Sequence, residues 1–129
     1  MKRNSYIAKQ STPPSGRFGW LLGTIMRRET IVENDSALEL LSPVQGDSIL
    51  EIGVGPGRLV GRIAGAVPDI RVVGIDTSPT MVRMARRQNR CLISKGRVEI
   101  RTADAHALPF PGNYFHRAVT VNTTYFWVD

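Results

Sequence analysis

Cysteine and histidine are scarce in this sequence, and their scarcity excludes several kinds of site. A single cysteine, Cys91, cannot form an internal disulfide framework or a cysteine-based zinc site. Two histidines, His106 and His116, are too few to support a metal site, so none is predicted. No apolar run approaches the ~20 residues that a bilayer-spanning helix needs, which predicts no membrane association. The polar stretch after Lys2 and Arg3 is unlike the core of a signal peptide and predicts a cytoplasmic location.

Acidic residues are fewer than basic ones. The 129 residues include 17 Lys and Arg against 11 Asp and Glu, which gives a formal net charge of +6 and a sequence pI of about 10.2. This balance is compatible with nucleic acid or another anionic partner. The basic residues are spread from Arg58 to Arg101 without a block of five, however, and this spacing favours an ordinary solvated surface.

The chain alternates short apolar runs with amphipathic stretches. Residues 1–16 are polar and predict a flexible lead, and residues 17–129 predict one domain. The predicted elements are helices over 18–26, 29–41, 56–67 and 77–89, and strands over 48–53, 70–76, 97–102 and 116–122. Because strands and helices alternate, we predict an α/β fold with a parallel sheet and right-handed crossovers.

The clearest motif is the glycine loop that follows the first predicted strand, residues 51–57 (EIGVGPG). Glycines let the backbone turn sharply and let a ligand approach closely, and the following helix N-terminus suits a carboxylate or a phosphate. Asp76 ends the second predicted strand, 19 residues after Gly57. This is near the ~20-residue spacing at which an acidic side chain accepts hydrogen bonds from ribose hydroxyls. The loop, the helix and the acid together predict a nucleotide-type ligand.

Two details of the loop disfavour a dinucleotide. The dinucleotide fingerprint G-x-G-x-x-G requires a glycine where this chain has Arg58, because Gly57 comes one residue early. Glu51, two residues before Gly53, is unhelpful beside a pyrophosphate but suits a cationic ligand such as a sulfonium or an α-amino group.

Taken in order, these motifs resemble those of the class I S-adenosylmethionine-dependent methyltransferases, and the resemblance covers about residues 13–127. Residues 49–57 look like the first motif of that family, residues 72–78 like its second strand, residues 102–105 like its adenine-contacting segment, and residues 108–111, 115 and 118–119 like the run into its fourth strand. The resemblance implies a Rossmann-like doubly wound sheet and S-adenosyl-L-methionine as the cofactor.

The resemblance also implies the residues that hold the cofactor. These are Glu51, Gly53, Gly55, Gly57, Asp76, Thr77, Asp104 and Ala105. In this assignment the glycines allow close approach, Glu51 offsets the positive end of the ligand, Asp76 takes the ribose hydroxyls, and Asp104 with the Ala105 amide reads adenine.

Catalysis needs little more than this framework, because methyl transfer from a sulfonium depends mainly on proximity and orientation. No Ser-His-Asp arrangement or metal cluster is therefore expected. Asn122 and Tyr125 lie where some methyltransferases of amino nitrogens have Asn-Pro-Pro-Tyr. The prolines are missing, so these two residues are only candidates for the substrate side.

The family's sheet has seven strands in the order 3-2-1-4-5-7-6, and only four strands fit in this chain. We therefore expect N-terminal helices and a partial sheet in the order 3-2-1-4, truncated after the fourth strand, whose exposed edge invites association. The family often has an acidic residue where His116 and Arg117 follow Phe115, and we assign no role to this histidine.

Three functions remain open at this stage. The first is a methyltransferase, or the N-terminal part of one, whose unidentified acceptor is expected to be a small molecule rather than nucleic acid. The second is a non-catalytic S-adenosylmethionine-binding fragment or module. The third is an NAD-dependent oxidoreductase, which Arg58 and Glu51 disfavour.

Overall fold

A parallel sheet flanked by helices forms the described part of the chain. A computed structural model describes residues 31–121. The predicted lead over 1–16, the predicted helix over 18–26, and the candidates Asn122 and Tyr125 lie outside the described residues. The elements, numbered here in chain order, are α1 (Ile31–Leu41), β1 (Ser48–Ile52), α2 (Arg58–Ala66), β2 (Arg71–Asp76), α3 (Pro79–Gln88), α4 (Arg90–Ser94), β3 (Val98–Thr102) and β4 (Arg117–Thr120).

The four strands lie in the order β3-β2-β1-β4, and every neighbouring pair is parallel. Leu50, at the middle of β1, pairs with Val73 on one side and with Ala118 on the other. The predicted order 3-2-1-4 is confirmed. The strand order reverses at β1: β2 and β3 are added on one side of β1, and β4 is added on the other. Open parallel sheets bind ligands at such a point, here between β1 and β4.

The ends of the helices follow from local chemistry. The helix predicted from residue 56 begins at Arg58, because Gly57 has the left-handed values φ 92° and ψ 25° and cannot belong to it. The Ser78 hydroxyl accepts a hydrogen bond from the Met81 N–H at 3.2 Å, and Pro79 occupies the first turn, as predicted. The first helix, α1, ends at Leu41, two residues before Pro43, which cannot continue a helix.

One helix escaped prediction. The five residues of α4 follow α3 directly, and Asn89 joins the two helices because its N–H donates to Ala85 O and its own carbonyl accepts from the Ile93 N–H. A single turn of helix has no measurable periodicity, so its sequence carries no signal of its own.

The core is divided between the two faces of the sheet. The larger cluster lies where α2 and α3 pack on the strands, and it includes the fully buried Ile49, Ile63 and Val72. A smaller cluster on Leu50, Val73 and Ile75 is covered partly by the aromatic rings of residues 110 and 115. Full burial of each such aliphatic side chain contributes about 1.5–3 kcal/mol, so the face with α2 and α3 supplies most of the stability of the described part.

An ionic contact joins the beginnings of β1 and β4. The buried carboxylate of Asp47 accepts from the Val44 N–H at 2.9 Å and from Arg117 Nε at 2.7 Å. His116 Nδ1 lies 4.0 Å from the same carboxylate and accepts from the Ser48 N–H at 2.9 Å. The hydrogen bonds from Val44 and Arg117 lower the pKa of Asp47. His116 and Arg117, which follow Phe115, therefore contact the segment at the start of β1, and His116 has a structural contact.

Candidate functional site at the carboxyl edge of the sheet

The carboxyl ends of three strands meet at one edge of the sheet. Asp76 at the end of β2 pairs with Thr102 at the end of β3, and Ile52 at the end of β1 pairs with Ile75. The loops after β1, β2 and β3 therefore leave the sheet side by side. The Ala103 N–H donates to the Asp76 carbonyl at 3.0 Å and ties the third loop to the second. This edge gathers the residues predicted to bind the cofactor.

The glycine loop turns tightly away from β1. Gly53 has φ 79° and Gly55 has φ 52°, in the left-handed region that favours glycine. The N–H groups of Gly53 and Val54 both donate to Ile75 O, at 2.8 and 3.0 Å. A Cβ added at Gly55 would meet no described atom within 4 Å. The loop is therefore held against β2 while the backbone at Gly55 stays open to a ligand.

Gly57 has a different reason to be glycine. Its φ is 92°, and a Cβ added there would lie 2.7 Å from the Ala85 Cα on α3. Its carbonyl accepts a hydrogen bond from Asn89 Nδ2 at 2.8 Å. Packing of helix on loop thus accounts for Gly57, whereas its predicted contact with a cofactor stays a prediction. Sequence reasoning missed Asn89, whose position at the end of α3 indicates only a helix terminus.

Asp76 connects two of the loops. Its Oδ2 accepts from the Gly55 N–H and its Oδ1 from the Ser78 N–H, both at 2.9 Å. Burial raises the pKa of Asp76, and the backbone hydrogen bonds from Ser78, Gly55 and Thr77 oppose that shift. A carboxylate has about four acceptor positions, so these three hydrogen bonds leave room for a further one. Asp76 can therefore support the loop and bind a ligand hydroxyl at once.

Glu51 is a buried acid under the glycine loop. Its side chain is 3% exposed and accepts a hydrogen bond from the backbone N–H of Val60, in the first turn of α2. Gly57, at the N-cap position of α2, has no side chain to cap the helix, so a carboxylate from the neighbouring strand does so. Oε2 has no hydrogen-bond partner among residues 31–121. Burial, with the nearby charge of Asp76 adding to it, raises the pKa of Glu51 well above its ordinary value.

The remaining predicted residues lie at the rim of the site. Thr77 is exposed, and Asp104 is exposed with Oδ1 accepting from the His106 N–H at 2.9 Å. Ala105 is half-buried. This short turn directly follows β3, and the contact of Asp104 and Ala105 with adenine stays a prediction.

An aromatic cluster that the sequence did not single out as a unit follows the third loop. The rings of Phe110 and Phe115 meet edge to face with centroids 5.0 Å apart, and Tyr114 lies 4.9 Å from Phe115. The Arg101 guanidinium lies 4.9 Å from the centroid of Phe110. The rings of Phe110 and Phe115 cover the smaller core cluster and thereby anchor the segment between Asp104 and β4.

Within residues 31–121, no three His, Cys, Asp or Glu side chains are grouped so that they could hold a metal ion. None of the helices described is long and apolar enough to cross a membrane. The substrate-side candidates, Asn122 and Tyr125, follow β4 outside the part of the chain that the structure describes.

Known proteins share this arrangement. A family model described as a methyltransferase domain matches residues 49–129. The chain is 30% identical over 109 residues to YdaC, an uncharacterized methyltransferase of Bacillus subtilis, and the match covers 84% of this chain and 58% of that protein. The [4+2]-cyclase SpnF matches with a TM-score of 0.60 and 30% identity over 67% of this chain. A methyltransferase from Thiobacillus denitrificans, described as S-adenosylmethionine-dependent and solved with S-adenosyl-L-homocysteine, matches in fold with a TM-score of 0.61 and 23% identity over 75% of this chain.

The chain is shorter than these relatives. It spans 58% of the Bacillus protein, 32% of the cyclase and 38% of the Thiobacillus protein. The residues that the family model matches include the glycine loop, β2, β3, β4 and all of β1 except Ser48.

Proposed function

Because this chain belongs to the class I S-adenosylmethionine-dependent methyltransferases, we propose that it binds S-adenosylmethionine at the carboxyl edge of the sheet and transfers its methyl group to a small-molecule acceptor. The observation that carries the proposal is the buried Glu51 carboxylate, which has an oxygen without a partner in the described residues and lies beneath an open glycine loop.

The residues present fit a cationic nucleoside. A buried carboxylate without full hydrogen bonding is costly, and a nearby positive charge compensates that cost. S-adenosylmethionine carries an ammonium and a sulfonium, so Glu51 is the group that would stabilise its amino-acid end. A pyrophosphate in the same place would add negative charge beside Glu51, whose ionised form burial already disfavours.

Asp76 would hold the ribose. Its two oxygens are aimed by the Gly55 and Ser78 N–H groups, so the carboxylate needs no rearrangement before it accepts from ribose hydroxyls. A rigid acceptor of this kind loses little entropy on binding. Asp104 and the Ala105 amide, which follow β3 at the same edge, would contact the adenine ring.

The bound cofactor would supply a methyl group already activated by the sulfonium. The contribution of the chain is then to orient the donor, exclude water and hold the acceptor in line. Asn122 and Tyr125 remain candidates for the acceptor side because they come soon after β4 in the sequence, and β4 lies beside β1 in the sheet.

The contacts of Arg86 and Arg97 favour a small-molecule acceptor over nucleic acid. Arg86 donates to the Ile100 carbonyl through Nε and Nη2, at 2.9 and 2.7 Å. Arg97 donates to the carbonyls of Ala64 and Val67 near the end of α2. These two guanidinium groups are therefore occupied with the backbone of this chain and are not directed at a phosphate backbone.

Binding without methyl transfer is the second candidate function. One protein that this chain resembles is described as a [4+2]-cyclase, an activity other than methyl transfer. This similarity supports keeping the second candidate function. An NAD-dependent oxidoreductase is disfavoured by the acid beneath the loop.

Calorimetry on the purified 129-residue chain tests the proposal. We expect saturable binding of S-adenosylmethionine and S-adenosylhomocysteine and none of NAD at the same concentration. Binding of NAD alone would overturn the proposal. Turnover of radiolabelled methyl groups onto small-molecule acceptors then separates a methyltransferase from a binding module.

A further inference from the structure

The carboxamide of Asn89 lies between the glycine loop and the helix behind it. The residue follows α3 directly and is 4% exposed. Its Nδ2 donates to two carbonyls at once, those of Gly57 and Ala85, both at 2.8 Å. The bond to Ala85 stays within one helix, whereas the bond to Gly57 spans 32 residues and reaches the loop.

Two glycines make room for this carboxamide. A Cβ at Gly57 would lie 2.7 Å from Asn89 Nδ2, and a Cβ at Gly61 would collide with Asn89 Oδ1. The two glycines are four residues apart and so lie on the same side of the start of α2. Both polar atoms of the Asn89 side chain, Nδ2 and Oδ1, therefore pack against the start of α2. This packing is possible only because residues 57 and 61 are both glycine.

The hydrogen bond to Gly57 acts on the part of the loop that leads into α2. Gly57 has a left-handed conformation, and the direction of its carbonyl sets the orientation of the peptide that joins it to Arg58. On the other side, the Gly55 N–H is held by Asp76. The loop is thus held at two points, one acidic and facing the ligand edge, the other neutral and buried behind it.

We infer that Asn89 is a positioning residue for the cofactor, acting through the Gly57 carbonyl rather than by touching the ligand. The inference rests on the proposed function, since it names a residue that prepares the same site. A purely structural Asn89 would contribute to stability alone, whereas a positioning residue affects the affinity of folded protein.

The test uses two variants that disturb the contact in different ways. Asn89→Ser keeps a hydroxyl that can bond back to the Ala85 carbonyl but is too short for Gly57. Gly61→Ala displaces the carboxamide without changing Asn89, and the higher helix propensity of alanine, about 1 kcal/mol, offsets part of the cost of this clash. Val82→Ala is the matched control, because Val82 is a buried core residue, 2% exposed, of α3, the helix that Asn89 follows.

Binding of S-adenosylhomocysteine is measured by calorimetry well below the unfolding temperature of each variant. We expect Asn89→Ser and Gly61→Ala to weaken binding about five- to tenfold, as the loss of one buried hydrogen bond predicts, and Val82→Ala to change it less than twofold. Wild-type affinity in both test variants overturns the inference. Equal weakening by Val82→Ala also overturns it, since general destabilisation then explains the effect.

Amide spectra separate this inference from the proposed function. Without ligand, Asn89→Ser should shift the ¹⁵N–¹H signals of Gly57 and Arg58 more than Val82→Ala does. If the wild-type chain fails to bind S-adenosylhomocysteine, the proposed function is wrong, and these shifts still decide whether Asn89 orients the loop. Unchanged signals in Asn89→Ser overturn the positioning role.

Discussion

Replacing Glu51 with glutamine should make the protein more stable and less able to bind its cofactor. The change keeps the size of the side chain and leaves an oxygen to accept from the Val60 N–H, but it removes the buried charge. Burial and the charge of Asp76 raise the pKa of Glu51 well above its ordinary value, so the charged form destabilises the fold. Acids with strongly shifted pKa values concentrate at functional sites, so we expect Glu51 to act on a ligand.

The magnitude follows from proton linkage. When the pKa of an acid is higher in the folded than in the unfolded state, the folded state binds more protons between the two pKa values. The free energy of unfolding of the wild type therefore falls as pH rises through that window, by at most about 1.4 kcal/mol per pH unit. Glu51→Gln lacks this loss. We expect the two proteins to be equally stable near pH 4 and the variant to be more stable by about 1–3 kcal/mol at pH 7.

Urea unfolding between pH 4 and pH 8 measures the difference directly. Glu99→Gln is the matched control, because hydrogen bonding to Arg101 lowers the pKa of Glu99 and its charge therefore stabilises the fold. That control should be slightly less stable than wild type at pH 7, the opposite sign. A gap between Glu51→Gln and wild type that does not change with pH would refute the reasoning.

Affinity provides the second half of this prediction. Because Glu51 is expected to face the cationic end of the cofactor, Glu51→Gln should weaken binding of S-adenosylmethionine about tenfold or more, measured by calorimetry at pH 7. Higher stability with unchanged affinity would mean that the carboxylate does not face the ligand.

Three further predictions concern the other contacts of the site and the sheet. Asp76→Asn presents an amide N–H₂ to the Gly55 or the Ser78 N–H, so we expect at least tenfold weaker binding of S-adenosylhomocysteine by calorimetry; wild-type affinity would contradict the ribose assignment. Gly57→Ala should lower the free energy of unfolding by more than about 2 kcal/mol in urea titration, because residue 57 has a left-handed backbone and an added Cβ would clash with α3. Gly55→Ala should lower the free energy of unfolding less but should weaken cofactor binding. The reverse ranking of the two variants would contradict the roles given to the two glycines. Asp47→Asn should lower the melting temperature at pH 7, and this loss should shrink as pH falls below the ordinary pKa of an aspartate, because a lowered pKa gives stability that is lost as pH falls through the folded value; a loss that does not change with pH would contradict it.

The fold was largely predictable because its elements carry independent local signals. Apolar runs bounded by turn residues mark β1 and β2, and Ser78-Pro79 marks the start of α3. The missed helix α4 has only one turn, and the start of α2 moved from residue 56 to Arg58 because backbone strain at Gly57 is not visible in a pattern of apolar residues.

The position of two acids around the glycine loop was predictable, because Asp76 at a strand end and Glu51 before the loop are marked by charge and spacing. Their roles in binding a cofactor stay predictions. The contact between Asn89 and Gly57 spans 32 residues and depends on how two helices pack, so no local pattern indicates it. A glycine triplet likewise does not reveal that Gly55 faces open space while Gly57 faces a helix.

The double contact of Asp76 limits how its cofactor preference could be redesigned. Exchanging this acid for a basic or neutral residue is the obvious way to make the pocket accept a phosphorylated ribose. Here the same carboxylate accepts from the Gly55 N–H, so such an exchange would release the loop that the new ligand needs. An engineer would first have to supply another acceptor for that N–H, which makes recognition and loop architecture inseparable at this position.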